Sequence, residues 1–513
     1  MEKSIALIIT ILVFLNVYLF TDEDRALYHK YKDKQSLNCT DNVLERLASD
    51  ASRYPNIKVI HLRSYRRKVP EALGAFKNIE KLIITNEFRG SARLSLPESI
   101  GQLKKLKFLD LKGCRLFNLP ETINGLTQLK EVYLNNNYLK TLPKGVGAWS
   151  KIETIHLDNN KLEELPTQVG TWTELSEITL HDNALSHLPE SIAVWKKISN
   201  LELSNNSLVA LPNSIGQLSE LVSIQANNNR LKTLPSSLLQ LRKLDKLLLQ
   251  KNNLDSLPEV LEDWQLNKLR QLDLSHNNLK GLPNKIGSLS SLIILNLISN
   301  ELIELPDGIG ALEQLESLNL SNNQLVKIPN TIRNLVNLNI FNLKFNTLKA
   351  LPAGFFALSS LNYLNISHNK LENLSANLGR LQNIEELYLQ NNNLRSLPTT
   401  ISNLQDLRQL NLNKNKLAQL PESLGKLSLL RSLDVGENEL TSLPKTIKQL
   451  RNLEYFTLFG NKLTSFPNSL MELKGLKRLS LGQNRAEELL SQEEYDDIVN
   501  RIKGALKRTS VEY

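Results

Sequence analysis

The sequence contains few cysteines and few aromatic residues. Its two cysteines, Cys39 and Cys114, provide neither a disulfide framework nor the spacing of a metal site. Aromatic residues make up 6% of the 513 residues, whereas hydrophobic residues make up 41%, so the core has to be mainly aliphatic. Because a chain of this length exceeds what one hydrophobic core supports, we expect several domains or an array of repeats.

Signatures of enzymes are also missing. The sequence contains no phosphate-binding loop, no H-E-x-x-H segment and no G-x-S-x-G segment. Its carboxylates and serines are not organised around a catalytic base. We therefore expect a protein without enzymatic activity that uses no cofactor, no bound metal and no small-molecule substrate.

Residues 1–20 form a long apolar segment, interrupted after residue 5 only by Thr10 and Asn16. Its length is typical of a signal-peptide core and short for a membrane-spanning helix. Bulky residues at 18–20 stand where a cleavage site would have small ones, so the segment is either a signal peptide or an uncleaved anchor. Four basic residues between positions 25 and 34 argue against export of that flank. An apolar run ahead of a soluble-looking body favours export.

Proline recurs at a fixed interval from Pro97 onward, in most places after leucine. The interval is 23 residues, except that the step from Pro258 to Pro283 is 25 and Ser375 replaces one proline. A second marker keeps the same phase, because an asparagine stands six residues before each anchor and Cys114 takes the first such place. The asparagines are Asn137, Asn160, Asn183, Asn206, Asn229, Asn252, Asn277, Asn300, Asn323, Asn346, Asn369, Asn392, Asn415, Asn438, Asn461 and Asn484.

The repeating unit reads L-x-x-L-x-L-x-x-N-x-L-x-x-L-P-x-x-I-G-x-L-x-x. It resembles the leucine-rich repeat family in its 23-residue form, which occurs in the Ras-group-related proteins of animals and plants and in many bacterial surface and secreted proteins. The resemblance covers about four fifths of the chain. It implies an α/β solenoid of horseshoe shape, with a parallel β-sheet on the concave face and short helical or 3₁₀ turns on the convex face. It also implies a non-catalytic scaffold that binds other macromolecules.

The repeat pattern by itself favours the same architecture. Alternation in the L-x-L portion predicts one short strand per repeat, with its leucines inward, and such strands stack as a parallel ladder. The asparagine is predicted to point inward, where its amide satisfies backbone groups that the turn leaves free, and Cys114 is predicted to replace it as a small buried donor. One repeat cannot bury its leucines alone, whereas a stack of repeats can.

The two ends of such a stack need covers. At the C-terminus, Ser491 and Glu494 fit a capping box, and an apolar stripe follows them to Leu506. At the N-terminus, Asp41 to Ser49 suggests a helix, and two degenerate repeats follow, for about nineteen strands in all. The sequence thus has five predicted parts: a signal peptide or membrane anchor at 1–20, an N-terminal capping region at 21–56, degenerate repeats at 57–96, regular repeats at 97–490, and a C-terminal capping helix and tail at 491–513.

The side chains between the strand leucines are expected to face solvent on the concave side, where partners bind. This face is net negative although the chain carries a formal net charge of +9. Because phosphate requires lysine and arginine, an acidic face argues against nucleic acid as a partner. The acids of the face are Asp110, Glu131, Asp158, Glu177, Asp182, Glu202, Asp273, Glu386, Asp434 and Glu437, and its bases are Lys112, Lys246, Lys251, Lys344, Lys414 and Arg478.

The middle repeats carry apolar and aromatic residues at these exposed positions. Such residues ringed by amides are typical of a contact surface for a protein or a glycan, although scattered apolar side chains occur on any protein surface. The predicted partner-binding residues are Ile294, Ile298, Ile340, Phe345, Tyr363, Asn365 and Tyr388. Elsewhere on the face, His156, Asp158, His181 and Asp182 have side chains that bind divalent metals, but their spacing has no known metal signature.

Three functional hypotheses follow. The first is an exported or membrane-tethered scaffold that binds a protein or a glycan through the concave face and contacts membrane only through residues 1–20, if these are uncleaved. The second is a cytoplasmic signalling scaffold of the Ras-group-related type, tethered at the cytoplasmic face of a membrane by its N-terminus. The third is an enzyme, which the missing motifs disfavour.

Overall fold

The computed structural model describes residues 21–88, 93–259 and 264–513. The chain divides into two compact units, Met1–Leu231 (unit 1) and Lys232–Tyr513 (unit 2). Residues 1–20, for which the sequence predicts a signal peptide or an anchor, lie outside the described residues. So does part of the segment that holds the two additional residues before Pro283, because residues 260–263 are not described.

In unit 1, each repeat contributes one strand, and consecutive strands pair in parallel. The two strands of the degenerate repeats are six residues long, whereas those of the regular repeats have three. The described strands of unit 1 are β1 (Ser36–Thr40), β2 (Val59–Ser64), β3 (Lys81–Asn86), β4 (Phe108–Asp110), β5 (Glu131–Tyr133), β6 (Thr154–His156), β7 (Glu177–Thr179), β8 (Asn200–Glu202) and β9 (Ser223–Gln225).

Unit 2 is built in the same way, from consecutive three-residue strands that pair in parallel and in register. Its described strands are β10 (Lys246–Leu248), β11 (Gln271–Asp273), β12 (Ile294–Asn296), β13 (Ser317–Asn319), β14 (Ile340–Asn342), β15 (Tyr363–Asn365), β16 (Glu386–Tyr388), β17 (Gln409–Asn411), β18 (Ser432–Asp434), β19 (Tyr455–Thr457), β20 (Arg478–Ser480) and β21 (Ser510–Glu512).

A five-residue 3₁₀ helix follows the proline of most repeats. The proline has an extended backbone, as at Pro120 with φ −69° and ψ 151°, and its missing N–H is harmless at a helix start. Where Ser375 replaces proline, its hydroxyl accepts a hydrogen bond of 3.1 Å from Asn377 N. These helices are Glu71–Ala75, Glu98–Gln102, Glu121–Gly125, Lys144–Ala148, Thr167–Thr171, Glu190–Val194 and Asn213–Gln217 in unit 1, and Ser236–Gln240, Asn284–Ser288, Asp307–Ala311, Asn330–Asn334, Ala353–Ala357, Ala376–Arg380, Thr399–Asn403, Glu422–Lys426, Lys445–Gln449 and Asn468–Glu472 in unit 2.

One parallel strand and one short 3₁₀ helix per repeat confirm the predicted fold class, an α/β solenoid of leucine-rich repeats. In a strand such as Ile294–Asn296 the middle residue is buried, and the leucines between the strands and the 3₁₀ helices complete an aliphatic core. The alternation of buried and outward residues in the sequence therefore specifies the strands correctly.

Among the described residues, the α-helices lie near the two ends of the chain. Unit 1 has α1 (Asp22–Tyr31) and α2 (Asp41–Ala48), beside a single-turn 3₁₀ helix at Ala51–Arg53, and α2 confirms the predicted N-terminal helix. Unit 2 has α3 (Arg485–Leu489) and α4 (Gln492–Ala505). The predicted capping box is present at α4, because Ser491 Oγ accepts from Glu494 N and a carboxylate oxygen of Glu494 accepts from Ser491 N. Tyr495, Val499 and Ile502 are buried along one side of α4.

The predicted count of nineteen strands is wrong, because the described residues form 21. β1 extends the sheet of unit 1 ahead of the degenerate repeats, and β21 adds a parallel strand beside β20. Neither segment carries the proline or the asparagine marker. β1 buries Leu37 and Cys39, and β21 pairs with a strand edge that would otherwise be open.

The marker asparagines link each repeat to the one before it. Asn160 Nδ2 donates to Leu157 O in its own repeat (3.0 Å) and to Leu134 O in the preceding one (2.9 Å). Its Oδ1 accepts from Leu139 N at 3.0 Å, so both ends of the amide are used. The same three bonds recur from Asn137 to Asn229 within unit 1 and from Asn277 to Asn484 within unit 2. At the first such position, Cys114 Sγ donates to Ile84 O at 3.0 Å.

The residue just before each marker adopts a left-handed backbone. Its φ lies near +55° in most repeats, as at Asn136 (59°) and Asn322 (57°), and the same conformation occurs at Phe345 (55°) and Glu437 (48°). Asparagine tolerates this region better than other non-glycine residues, which explains the many Asn-Asn pairs of the sequence. The bulky residues at this position are held there by the repeat on each side.

Three buried tryptophans stack inside unit 1. The rings of Trp149, Trp172 and Trp195 lie 6.3 and 6.2 Å apart, and their planes are within 10° of parallel. Each Nε1 donates to a backbone carbonyl of the preceding repeat at 3.1–3.2 Å. The indoles replace the leucine found at this position in most repeats, so one part of the core is aromatic rather than aliphatic.

Substitution of a marker asparagine should weaken the stack. In Asn277→Ala, Leu254 N and the carbonyls of Leu249 and Leu274 lose buried partners. We expect a loss of about 2–4 kcal/mol in the free energy of unfolding, measured by urea denaturation. Asn278→Ala is the matched control, because Asn278 is the exposed neighbour; an equal loss in both variants would contradict this role of the ladder.

A methyl group at Gly125 should also destabilise unit 1. A Cβ built there lies 1.9 Å from Gly101 O, so the 3₁₀ helices of neighbouring repeats pack backbone against backbone. We expect Gly125→Ala to lower the free energy of unfolding by about 1–3 kcal/mol in the same assay. Gly281→Ala should be neutral, since nothing lies within 4 Å of its Cβ position; similar stability of the two variants would refute the close packing.

Candidate functional site

In each regular repeat, the outward side of the sheet is lined by the first and third residue of the strand and by the two residues that come after the buried aliphatic residue following the strand. We call this surface the sheet face. In unit 1 it carries six carboxylates and no large exposed hydrophobic side chain within the described residues. In unit 2 it carries exposed apolar and aromatic residues together with amides. The two sheet faces therefore differ in chemistry although their backbones repeat.

The apolar column of unit 2 runs across β12 to β15. Ile294 pairs in register with Ser317, Ser317 with Ile340, and Ile340 with Tyr363, as the sequence phase predicts. The two isoleucines are 40% and 43% exposed. Because adjacent strands lie about 4.8 Å apart, these residues form one strip, in which Ser317 separates the two isoleucines.

Tyr363 and Tyr388 form an aromatic pair at the end of this strip. Their ring centroids lie 5.4 Å apart with the planes at 46°. Tyr388 OH donates to Glu386 Oε2 at 2.7 Å, and Tyr363 OH accepts from Asn365 Nδ2 at 3.2 Å. Partial burial, followed by the hydrogen bond to Glu386, raises the pKa of Tyr388. The hydroxyls are thus held in place, and Tyr388 stays neutral at physiological pH.

The asparagine column beside the strip has a structural role. Asn296, Asn319, Asn342, Asn365 and Asn411 each accept, through Oδ1, a hydrogen bond from the backbone N–H two residues later. This contact ends the strand with an Asx turn. Asn365 is itself buried and uses both ends of its amide, so it orients Tyr363 rather than offering a free group to a partner.

Phe345 belongs to a second group, at the carboxyl ends of the strands. Its ring lies 4.1 Å from that of His368 and 4.7 Å from Lys344 Nζ. Burial, followed by the charges of Lys344 and Lys414, lowers the pKa of His368, so the ring stays neutral at physiological pH. The sequence phase places His368 in the same column as Phe345, but only the structure reveals the stacking. Ile298 lies in another column, two repeats away from Phe345.

The predicted partner-binding residues therefore do not form one patch. Ile294, Ile340, Tyr363 and Tyr388 form the strip, which we call the isoleucine–tyrosine strip. Phe345 lies with His368, while Ile298 is half-buried apart from both. Glu386, which binds the Tyr388 hydroxyl, was not predicted, because its role depends on a rotamer that spacing does not specify.

The histidines of unit 1 are dispersed along its sheet face. His156 Nε2 lies 3.2 Å from Glu177 Oε1, and His181 Nε2 lies 3.8 Å from Asp158 Oδ2. Across residues 21–88, 93–259 and 264–513, no three histidine, cysteine, aspartate or glutamate side chains are grouped to hold a metal ion. Over the same residues, no helix has the length and hydrophobicity to cross a membrane.

Comparisons with known proteins identify the repeats. Family models described as leucine-rich repeat region and leucine rich repeat match residues 398–496, and residues 267–325 and 336–394, respectively. No curated protein matches the chain. Among solved structures, a leucine-rich repeat protein of Leptospira interrogans is 32% identical, with 77% of this chain and 98% of that chain covered at a TM-score of 0.65.

Two further solved structures share the fold. YopM from Yersinia enterocolitica is 26% identical, with 80% of this chain and 84% of that chain covered at a TM-score of 0.54. The plant peptide hormone receptor RGFR1, solved in complex with RGF2, is 23% identical, with 93% and 89% covered at a TM-score of 0.63. The repeat markers, the parallel strands with their 3₁₀ helices and these similarities agree: the chain belongs to the leucine-rich repeat family.

Proposed function

We propose that the chain is a protein-binding scaffold and that its contact surface is the isoleucine–tyrosine strip of unit 2. The proposal rests mainly on one observation: Ile294 and Ile340 are large, exposed and aligned in register with a tyrosine pair. Leucine-rich repeat proteins are typically non-catalytic.

The strip supplies enough apolar surface for a contact. Covering a half-exposed isoleucine contributes about 1 kcal/mol, and a tyrosine pair contributes a similar amount or more. Aromatic residues that are already oriented lose little side-chain entropy on binding, which favours affinity. The bonds from Tyr388 to Glu386 and from Asn365 to Tyr363 provide this orientation.

A protein partner fits the strip better than a glycan. Two of its four members are isoleucines, which offer a sugar no hydrogen bonds, and the tyrosine hydroxyls are already engaged. A protein supplies the apolar side chains that cover such a surface. A glycan remains the alternative ligand, which the test below distinguishes.

We further propose that the scaffold acts outside the cytoplasm, exported or tethered through residues 1–20. The support is the apolar run of these residues ahead of a body that needs no membrane contact. The alternative is a cytoplasmic scaffold of the Ras-group-related type, held at the membrane by the same segment.

Substitution of the tyrosine pair tests the contact surface. Proteins and glycans retained by the immobilised full-length chain are compared between the parent and the double variant Tyr363→Ser, Tyr388→Ser. We expect the amount of a protein retained by the double variant to be at least about tenfold lower than the amount retained by the parent, since two oriented aromatic contacts are removed. Thermal unfolding should stay within a few degrees of the parent, because both side chains are only partly buried.

Tyr65→Ser is the matched control, since this exposed tyrosine belongs to unit 1 and is not part of the strip. It should retain the same protein as the parent. Equal retention by the parent and the double variant would reject the strip as the contact surface. Selective loss of a glycan, with no protein lost, would favour the alternative ligand.

Location is tested by protease treatment of intact cells that express the full chain, with mass spectrometry of its N-terminus. We expect the body to be digested or released, because the apolar segment would direct export. A mature N-terminus after about residue 20 would indicate a cleaved signal peptide. A protected body that retains residues 1–20 would contradict export and favour the cytoplasmic scaffold.

A further inference from the structure

A row of polar side chains crosses the sheet face of unit 1, two residues beyond the strands. It consists of Asn135, Asp158, His181, Ser204 and Asn227, one from each of five consecutive repeats. Backbone hydrogen bonds keep the row in register, since Asn136 N donates to Asp158 O, Asn159 N to His181 O, Asp182 N to Ser204 O and Asn205 N to Asn227 O. We call these five residues the polar row.

Carboxylates surround the polar row without cationic partners. They are Asp110, Glu131, Asp158, Glu177, Asp182 and Glu202. Among the described residues, no lysine or arginine lies within 4.0 Å of any of them, and their charged neighbours are His156 and His181. Some other acids of unit 1 are paired with lysine, for example Glu153 with Lys130 and Glu174 with Lys197. The six carboxylates of the sheet face instead accept hydrogen bonds from neighbouring backbone or side-chain groups, or contact histidine, so their charge is not offset by lysine or arginine.

The polar row also contains buried atoms that lack hydrogen bonds. Asn135 and Ser204 are each only 8% exposed, yet Asn135 Oδ1 and Ser204 Oγ have no partner. His181 Nδ1 and Asn227 Oδ1 are likewise buried and unpartnered. Unsatisfied buried polar atoms are rare in native proteins because each destabilises the fold. These side chains belong to the sheet face, so their unpartnered atoms lie in the same surface as the carboxylates.

The polar side chains of this surface are arranged in a row rather than around one central point. No three metal-ligating side chains of the described residues are grouped, which argues against a bound cation at one point. Carboxylates and the amide oxygens of Asn135 and Asn227 are hydrogen-bond acceptors, so the complementary ligand is rich in donors and positive charge. The chain as a whole carries a net charge of +9, so general attraction cannot bring a polycation to it.

We propose that the sheet face of unit 1 binds an extended, arginine- or lysine-rich segment of a partner protein. The ligand's guanidinium or ammonium groups pair with the carboxylates that have no lysine or arginine partner, and its N–H groups satisfy the open acceptors of the polar row. This surface is separate from the isoleucine–tyrosine strip and has the opposite chemistry. This proposal goes beyond the proposed function. The residues of the unit 1 surface can be substituted while those of the strip are left unchanged.

The test uses the full-length chain and a fluorescein-labelled peptide of alternating arginine and serine, followed by fluorescence anisotropy. We expect saturable binding that weakens as salt is raised. The variant E131Q/E177Q/E202Q removes three charges from the face while glutamine keeps the side-chain shape. It should bind the peptide about tenfold more weakly or worse.

The matched control is E153Q/E163Q/E174Q, which removes the same charge from acids of unit 1 that pair with lysines. It should bind within about twofold of the parent. Equal loss in both variants, or none in the first, overturns the proposal. Equally effective competition by spermine at matched charge also overturns it, because the face would then attract any polycation rather than a polypeptide.

The polar row is tested separately by Asn135→Ala and Ser204→Ala. Each should weaken peptide binding by a few fold, while the thermal unfolding midpoint stays equal or rises, since an unsatisfied atom is removed. Unchanged binding would overturn the role of the row. If these variants lose peptide binding but still retain the protein that binds the isoleucine–tyrosine strip, the two surfaces act independently. The outcome for this surface can then be distinguished from the outcome for the proposed function.

Discussion

The stack of repeats depends on one interaction, the hydrogen bonds of the buried side-chain amide of the marker asparagine, which recurs once in each regular repeat. Within each unit, the marker asparagine of a repeat binds backbone groups of that repeat and of the repeat before it, so it specifies both the turn after the strand and the distance to the next turn. A hydrophobic core alone would let repeats slide, because leucines pack similarly in several registers. The buried amide penalises such a slip by leaving donors and acceptors unsatisfied. The outward columns of side chains stay aligned because the inward amides are aligned.

The structural features that recur in every repeat could be predicted from the sequence, whereas features that occur only once could not. Strands, 3₁₀ helices and the register of Ile340 with Tyr363 follow from spacing, because a common period places equivalent residues side by side. β1 and β21 were missed because they carry neither marker and form against the ends of the sheets. The predicted contact residues divided into two groups and the separate Ile298, because spacing assigns a column to each residue, whereas contacts such as Phe345 with His368 depend on rotamers.

The left-handed residue before each asparagine shows how the repeat combines constraint with variation. The backbone conformation is constant, yet the side chains differ widely, from Asn136 to Lys251 and Phe345. The repeat therefore specifies where a side chain points and leaves its chemistry open. One unit carries unpaired carboxylates at outward positions and the other an apolar strip. The binding specificity of such a protein is determined by the side chains at its outward positions and not by the backbone fold.

The tryptophan stack has an optical consequence. Of the four tryptophans in the chain, three lie stacked and fully buried in unit 1, and Trp264 lies in unit 2. Indole emission shifts to longer wavelength when the ring meets water, so the intrinsic fluorescence reports chiefly on one unit. Parallel indoles at 6 Å also couple electronically, which gives the folded stack a circular-dichroism signal that single rings lack. The protein thus carries a built-in spectroscopic label for local opening of its first half, which needs no added dye.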